Sequence, residues 1–216
     1  MTVQTRVSKG AGLVKVVLLA IALSVVFGAA AEAQAPECVP GSLAFYQALG
    51  AQGCVVGDAK FSNFKYQQAD GLPAASINLT PGTAPDSSDP GLLVEASWTN
   101  PSGQGSSISY TVEIQRGKPI NGGTLEMQFG QITGTGEARV VTQICAPVEG
   151  SDRCADGSLK LQVVLNAGPE KRVSASGRLA TPQRQVRVVS ALSIANGKNG
   201  TASFNGFMTV LHRKSE

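Results

Sequence analysis

The single histidine, His212, is the first candidate for a catalytic group in this chain. A hydroxyl or thiol nucleophile in a hydrolase needs an imidazole held beside it as a general base. His212 comes four residues before the last residue, on a predicted strand, and its parity matches that of Ala202, Phe204, Met208 and Val210. We therefore predict that its ring lies at the edge of the core, and general-base catalysis is the alternative.

The cysteines form the second set of residues with defined chemistry: Cys38, Cys54, Cys145 and Cys154. An even number of cysteines in an exported chain indicates disulfides, because no reducing pool reaches that compartment. Three pairings can be drawn. We predict Cys38–Cys54 and Cys145–Cys154, since the members of each pair are close in sequence and bracket a turn-rich stretch. The alternative, a zinc site, would need C-x-x-C spacing or several histidine ligands.

Carboxylates are the third candidate, because two of them suffice for glycoside hydrolysis. The acidic residues are scattered, however. Asp86 and Asp89 flank turn prolines, and Asp152 and Asp156 lie in or beside the predicted Cys145–Cys154 loop. Three more have the solvent-facing parity of their strands: Glu95, Glu113 and Glu126. We expect a solvated surface. Asp152 and Asp156 could instead bind calcium, although no D-x-D-x-D-G loop supports that hypothesis.

Aromatic side chains serve as platforms on sugar-binding faces, and this chain has one Trp and three Tyr. Trp98 and Tyr110 share the parity of apolar neighbours, so we predict that both pack in the core. The glycine-rich segment 130–136 lacks the Lys-Ser/Thr pair and the following helix of a phosphate loop, and we predict a turn between two strands. The sequence therefore predicts no catalytic, cofactor-binding or metal-binding residue, and no cofactor.

The first 33 residues have the composition of a removable secretion signal. Residues 16–27 form an almost unbroken apolar run, preceded by the basic residues Arg6, Lys9 and Lys15. The small residues of 31–33 match a signal-peptidase site, and cleavage there would leave a chain that begins at Gln34. A second site at 33–35 would place Pro36 directly after the cut. The alternative, a transmembrane anchor, would need about 20 apolar residues.

Cleavage would leave 183 of the 216 residues, which is enough for one domain with a single core. It would also remove three of the 18 basic residues and one of the 15 acidic residues, so the formal net charge would fall from +3 to +1. A nearly neutral surface has no long-range field that attracts nucleic acid or anionic lipid. We predict no nucleic-acid partner and, after cleavage, no membrane span.

One short helix is predicted at Ser42–Gly50. Leu43, Tyr46 and Leu49 would lie on one face of it, Ser42 can cap its first turn, and Gly50 can end it in the left-handed conformation.

Beyond Cys54, apolar and polar residues alternate with the period of half-buried strands. The alternation is clearest at 92–99, 108–115, 159–166 and 172–179. Weaker strands are predicted at 60–67, 75–80, 123–129, 137–145, 183–194 and 201–211. Turn residues separate them, among them Pro81-Gly82, Asn121-Gly122 and Asn196-Gly197. About ten strands without crossover helices predict an antiparallel β-sandwich or jelly roll.

The chain is thus expected to contain four segments. They are a signal peptide at 1–33, a helical and disulfide-bonded segment at 34–59 packed on the sheet, a β-sandwich domain at 60–211, and a polar tail at 212–216.

The segment 46–64 contains the pattern Gly-Cys-x-x-Gly-Asp-x-x-Phe-x-Asn-Phe. It resembles the opening block of a group of uncharacterised exported bacterial proteins, many of which carry a PEP-CTERM sorting tail. A looser similarity continues through 109–112, the turn at 134–136 and the strand around 202–207. The resemblance implies a Gram-negative, exported β-sandwich linked to the extracellular polysaccharide matrix, and it implies no activity. The sorting tail is missing after Leu211, so we predict a secreted or periplasmic protein.

These observations favour a non-enzymatic exported protein with a binding or structural role at the cell surface or in the extracellular matrix. The polar strand faces are rich in Ser, Thr, Gln and Asn, and they suit weak contact with an extracellular polysaccharide or with another surface protein. The alternative is a carbohydrate-active enzyme on a jelly-roll scaffold, whose paired carboxylates only the fold would bring together.

Overall fold

Strands make up most of the described part of the chain. The computed structural model describes residues 34–68, 72–84, 87–99, 105–148, 151, 154, 158–166, 172–197, 199 and 201–213. The predicted signal at 1–33 lies outside these residues, as do Asp86, Asp152, Asp156 and the last three residues of the predicted tail.

The described residues form two six-stranded sheets that face each other, and every pair of neighbouring strands in them is antiparallel. The first sheet has the order β1 (Gly41–Ser42), β4 (Asn78–Thr83), β5 (Pro90–Trp98), β12 (Ala202–Arg213), β7 (Ile120–Ile132), β10 (Arg172–Gln183). The second sheet has the order β2 (Cys54–Val56), β3 (Ala59–Gln67), β6 (Ser106–Ile114), β11 (Gln185–Ala195), β8 (Glu137–Cys145), β9 (Leu159–Asn166). The predicted antiparallel β-sandwich is confirmed.

The core lies between the sheets and is filled by alternate residues of each strand. In β6 the even-numbered residues from Ile108 to Ile114 are buried, as the alternation predicted. Leu161, Val163 and Leu165 of β9 are buried in the same way. The inward residues of β10 are only half-buried, because β10 is the last strand of its sheet. Period-two burial therefore accounts for the sandwich.

The predicted helix is present as α1 (Leu43–Ala48), and it packs on the start of the second sheet. The Ser42 hydroxyl accepts a hydrogen bond from the Phe45 N–H at 3.2 Å, which is the expected N-cap. Tyr46 is buried: its hydroxyl donates to the Val39 carbonyl at 2.5 Å, and its ring lies 4.9 Å from that of Phe64. Burial raises the pKa of Tyr46 to about 12.

Both predicted disulfides, Cys38–Cys54 and Cys145–Cys154, are present. The first ties the segment before α1 to β2. Two backbone hydrogen bonds reinforce this link, from the Cys38 N–H to the Val55 carbonyl at 2.9 Å and from the Val55 N–H to the Pro36 carbonyl at 2.8 Å. The N-terminal segment is thereby held on the second sheet.

Two predicted turns are wrong. Pro81-Gly82 lies inside β4. The neighbouring strand β1 pairs only with Asn78 and Leu79, so this edge of β4 has no partner strand at position 81. A proline, which has no N–H to donate, is tolerated at such an open edge. Asn121-Gly122 lies inside β7. The registers with both neighbouring strands shift between Ile120 and Gly122, so the turn-forming residues make a bulge within the strand. The strand predicted at 75–80 also begins later, because Ala74–Ser76 forms a 3-10 turn.

The parity prediction for His212 is also wrong. The register between β12 and β5 slips by one residue between Phe204 and Gly206. The inward residues of β12 are therefore even-numbered up to Phe204 and odd-numbered from Phe207 to Leu211. His212 lies on the outer face of the first sheet, within a strand that continues to Arg213 and not in a polar tail.

Gly53 and Gly50 offer a matched test of how tightly the start of the second sheet is packed. Both have positive φ, +60° and +53°. A Cβ on Gly53 would overlap the Phe61 carbonyl, whereas a Cβ on Gly50 would meet nothing within 4 Å. We expect Gly50→Ala to lower the free energy of unfolding by about 1 kcal/mol, the cost of the left-handed backbone alone. Gly53→Ala should lower it by more than about 3 kcal/mol, because overpacking is added. Urea denaturation measures both, and equal losses would contradict this packing.

Candidate functional site

A trough crosses the outer face of the second sheet. It consists of two adjoining cavities of about 430 and 500 Å³ that share Gln67 and Ser107. Its floor is formed by outward residues of four adjacent strands, β3, β6, β11 and β8: Lys65, Gln67, Ser107, Ser109, Val189, Ala191, Val141 and Gln143.

Strand register arranges these side chains in two parallel rows. In the first row Lys65 pairs with Ser109, Ser109 with Val189, and Val189 with Gln143. In the second row Gln67 pairs with Ser107, Ser107 with Ala191, and Ala191 with Val141. With three gaps of about 4.8 Å between strands, each row spans about 14 Å.

Hydrogen-bonding groups lie on the β3 and β6 side of the trough and, through Gln143, on its β8 side, with small apolar groups between them. The Ser107 hydroxyl donates to the Gln67 side-chain carbonyl at 3.3 Å, so these two groups are held in place on the β3 side. Val189 and Ala191 provide the apolar centre. The Cys145–Cys154 disulfide places Cys154 against the trough wall.

The predicted core positions of Trp98 and Tyr110 are confirmed. Each side chain is 2% exposed. Trp98 stacks on Phe204 with 4.7 Å between ring centroids, and Tyr110 stacks on Phe64 at 5.4 Å. Burial raises the pKa of Tyr110 above its ordinary value. Neither ring is available as a sugar platform.

The described carboxylates form ion pairs or face solvent. Arg213 donates to Asp58 through its guanidinium at 2.6 Å and to Asp89 through its backbone N–H at 3.1 Å. Glu95 and Glu113 are exposed, as predicted. Because a guanidinium neutralises Asp58, this convergence does not provide the acid and base of a glycosidase. The calcium hypothesis for Asp152 and Asp156 lies outside the described residues.

His212 joins Thr124 and Asp89 in a group that sequence reasoning missed. Its ring nitrogens lie 2.7 Å from the Thr124 hydroxyl and 3.1 Å from an Asp89 carboxylate oxygen. Thr124 is on β7, His212 is on β12 and Asp89 lies just before β5, and no linear motif connects them. Only the order of strands in the first sheet brings them together.

Within the described ranges, no group of three His, Cys, Asp or Glu side chains lies close enough to hold a metal ion. No helix among the same residues is long and apolar enough to span a membrane.

No protein-family model matches the sequence, and no curated protein matches it. Among solved structures, TmCBM61 in complex with β-1,4-galactotriose is 12% identical to this chain. The match covers 70% of this chain and 88% of the TmCBM61 chain, with a TM-score of 0.38. The family 11 carbohydrate-binding module from Clostridium thermocellum is 8% identical, with coverages of 75% and 93% and a TM-score of 0.26. Endoglucanase 3 from Trichoderma harzianum, of family GH12, is 11% identical, with coverages of 72% and 99% and a TM-score of 0.22. Likenesses of this strength assign no function to the chain.

Two arginines offer a matched test of the contacts beside His212. The Arg213 side chain is mostly buried and pairs with Asp58, whereas the side chains of Arg139 and its partner Glu137 are 43% and 34% exposed. We expect Arg213→Met to lower the free energy of unfolding by about 2 kcal/mol, because it leaves Asp58 without its cation. Arg139→Met should cost less than about 1 kcal/mol, as exposed pairs do. If chemical denaturation shows equal losses, the Arg213 pair does not hold this end of the sandwich.

Proposed function

We propose that this chain is an exported binding protein whose trough on the second sheet holds a segment of extracellular polysaccharide. The observation that carries the proposal is the two-row arrangement of Ser, Gln and small apolar side chains across four strands. The two disulfides support an oxidising compartment outside the cytosol, where such a polymer would be met.

The trough suits sugars because each hydroxyl of a sugar both donates and accepts a hydrogen bond. Ser109 is a group of the same kind, and the Gln143 amide offers two donors and an acceptor. The C–H faces of the sugar ring would lie over Val189 and Ala191 between these polar groups. An extended chain of sugars could follow either row, because the rows run straight across the strands.

The binding should be weak, since Tyr66, the aromatic residue among the described residues that line the trough, packs against the core and donates its hydroxyl to the Leu72 carbonyl, so its ring offers no open platform. About four hydrogen bonds, each contributing about 1 kcal/mol net, correspond to a dissociation constant of about 1 mM. A polymer compensates for this weakness when several protein molecules or several repeats of the chain are engaged together. This affinity fits a structural role in a matrix.

Affinity electrophoresis through gels containing single soluble polysaccharides tests the proposal. We expect at least one polysaccharide to retard the protein. The double variant Ser109→Ala/Gln143→Leu should weaken that binding about 30-fold, the equivalent of two hydrogen bonds at about 1 kcal/mol each.

Gln162→Leu is the matched control. Gln162 is exposed on β9, opposite Val141 in the same sheet, and it does not line either cavity. This variant should migrate like the wild type. If every polysaccharide leaves the wild type unretarded, or if the control loses as much binding as the double variant, the trough is not a sugar site.

A further inference from the structure

A second site lies on the opposite sheet and goes beyond the binding role. Thr124, His212 and Asp89, here called the triad, are linked in series by hydrogen bonds. The Thr124 hydroxyl lies 2.7 Å from His212 Nε2, and His212 Nδ1 lies 3.1 Å from Asp89 Oδ2. A nucleophilic hydroxyl, a general base and an orienting carboxylate have this same order in hydrolases.

Asp89 is itself fixed, which defines the state of the imidazole. Its other carboxylate oxygen, Oδ1, accepts a hydrogen bond from the Arg213 N–H at 3.1 Å. A carboxylate can only accept at Oδ2, so the proton of a neutral His212 ring belongs on Nδ1. Nε2 is then unprotonated and accepts the hydrogen bond from Thr124.

The neighbouring strand supplies a cation on the same face. Gly122 pairs with His212 of β12 on one side and with Arg178 of β10 on the other. Arg178 is therefore in the same row as His212 and one row from Thr124, and its side chain is exposed. Ser176 pairs directly with Thr124. The backbone of Thr124 belongs to the sheet ladder, and therefore the stabilising charge for an oxyanion has to come from a side chain such as Arg178.

The triad is also open to a substrate. The His212 side chain is 40% exposed, and Thr124 is half-buried. Gly122 places no side chain beside the imidazole. An ester with a short acyl group can reach a hydroxyl that is exposed to this degree.

We propose that Thr124 is the nucleophile of an acyl-ester hydrolase site. Thr124 Oγ1 attacks the ester carbonyl carbon as its proton passes to His212 Nε2, and Arg178 faces the oxygen that becomes negative. The bond from the carbonyl carbon to the alcohol oxygen breaks, and the alcohol leaves with the proton from Nε2. A water molecule then gives a proton to Nε2 and cleaves the threonine ester, which releases the carboxylic acid and restores the hydroxyl.

A fluorophosphonate reagent tests the nucleophile directly. It forms a phosphorus–oxygen bond to an activated hydroxyl with loss of fluoride, and peptide mass spectrometry locates the adduct. We expect an adduct on Thr124 in the full chain, together with hydrolysis of 4-nitrophenyl acetate. Thr124→Ser should keep both reactions, and His212→Gln should slow the labelling about 100-fold, the size of a general-base contribution.

Thr80→Val is the matched control, because Thr80 is a half-buried threonine on β4 of the same sheet and lies away from the triad. It should label and hydrolyse like the wild type, whereas Thr124→Val should do neither. Circular dichroism shows whether each variant is folded. A folded wild type without an adduct on Thr124, or with labelling that His212→Gln leaves unchanged, overturns the proposal and leaves the triad as a structural contact.

Discussion

The one-residue slip between β12 and β5 decides what each face of the first sheet presents. Gly206 lies at the slip, where the Val94 carbonyl comes so close that a Cβ would be 2.8 Å from it. Before the slip Phe204 packs inward on Trp98, and after it Phe207 and Leu211 fill the core. The same change of parity turns His212 outward. A regular strand would have placed that imidazole among apolar side chains.

The end of β12 also connects the two sheets. Arg213 reaches Asp58 in the turn between β2 and β3, and its backbone N–H holds Asp89 just before β5. Asp89 in turn contacts His212, so Arg213 links the ion pair between the sheets to the carboxylate that contacts the imidazole. The inter-sheet contact and the triad are therefore both consequences of how one strand ends.

The sequence predicted the strands well because period-two burial is a local property. Residues 137–145 and 159–166 are strands over the whole predicted ranges. It failed at Pro81 and Asn121, where the neighbouring strands decide whether turn-forming residues make a turn. Neither the trough nor the triad was predictable, since both depend on strand order. Nothing in the linear sequence indicates that β11 lies between β6 and β8, or that β12 lies between β5 and β7.

The protonation pattern of the His212 ring is the most direct test of this account. Nitrogen-15 NMR of the imidazole needs no assignment, because His212 is the only histidine in the chain. At a pH where the ring is neutral, we expect the proton on Nδ1, held by Asp89, and an unprotonated Nε2 that accepts from Thr124. The Asp89→Asn variant should lose this preference. A wild-type ring protonated on Nε2, or averaged between the two tautomers as in a free imidazole, would show that the end of β12 does not hold His212 between these two residues.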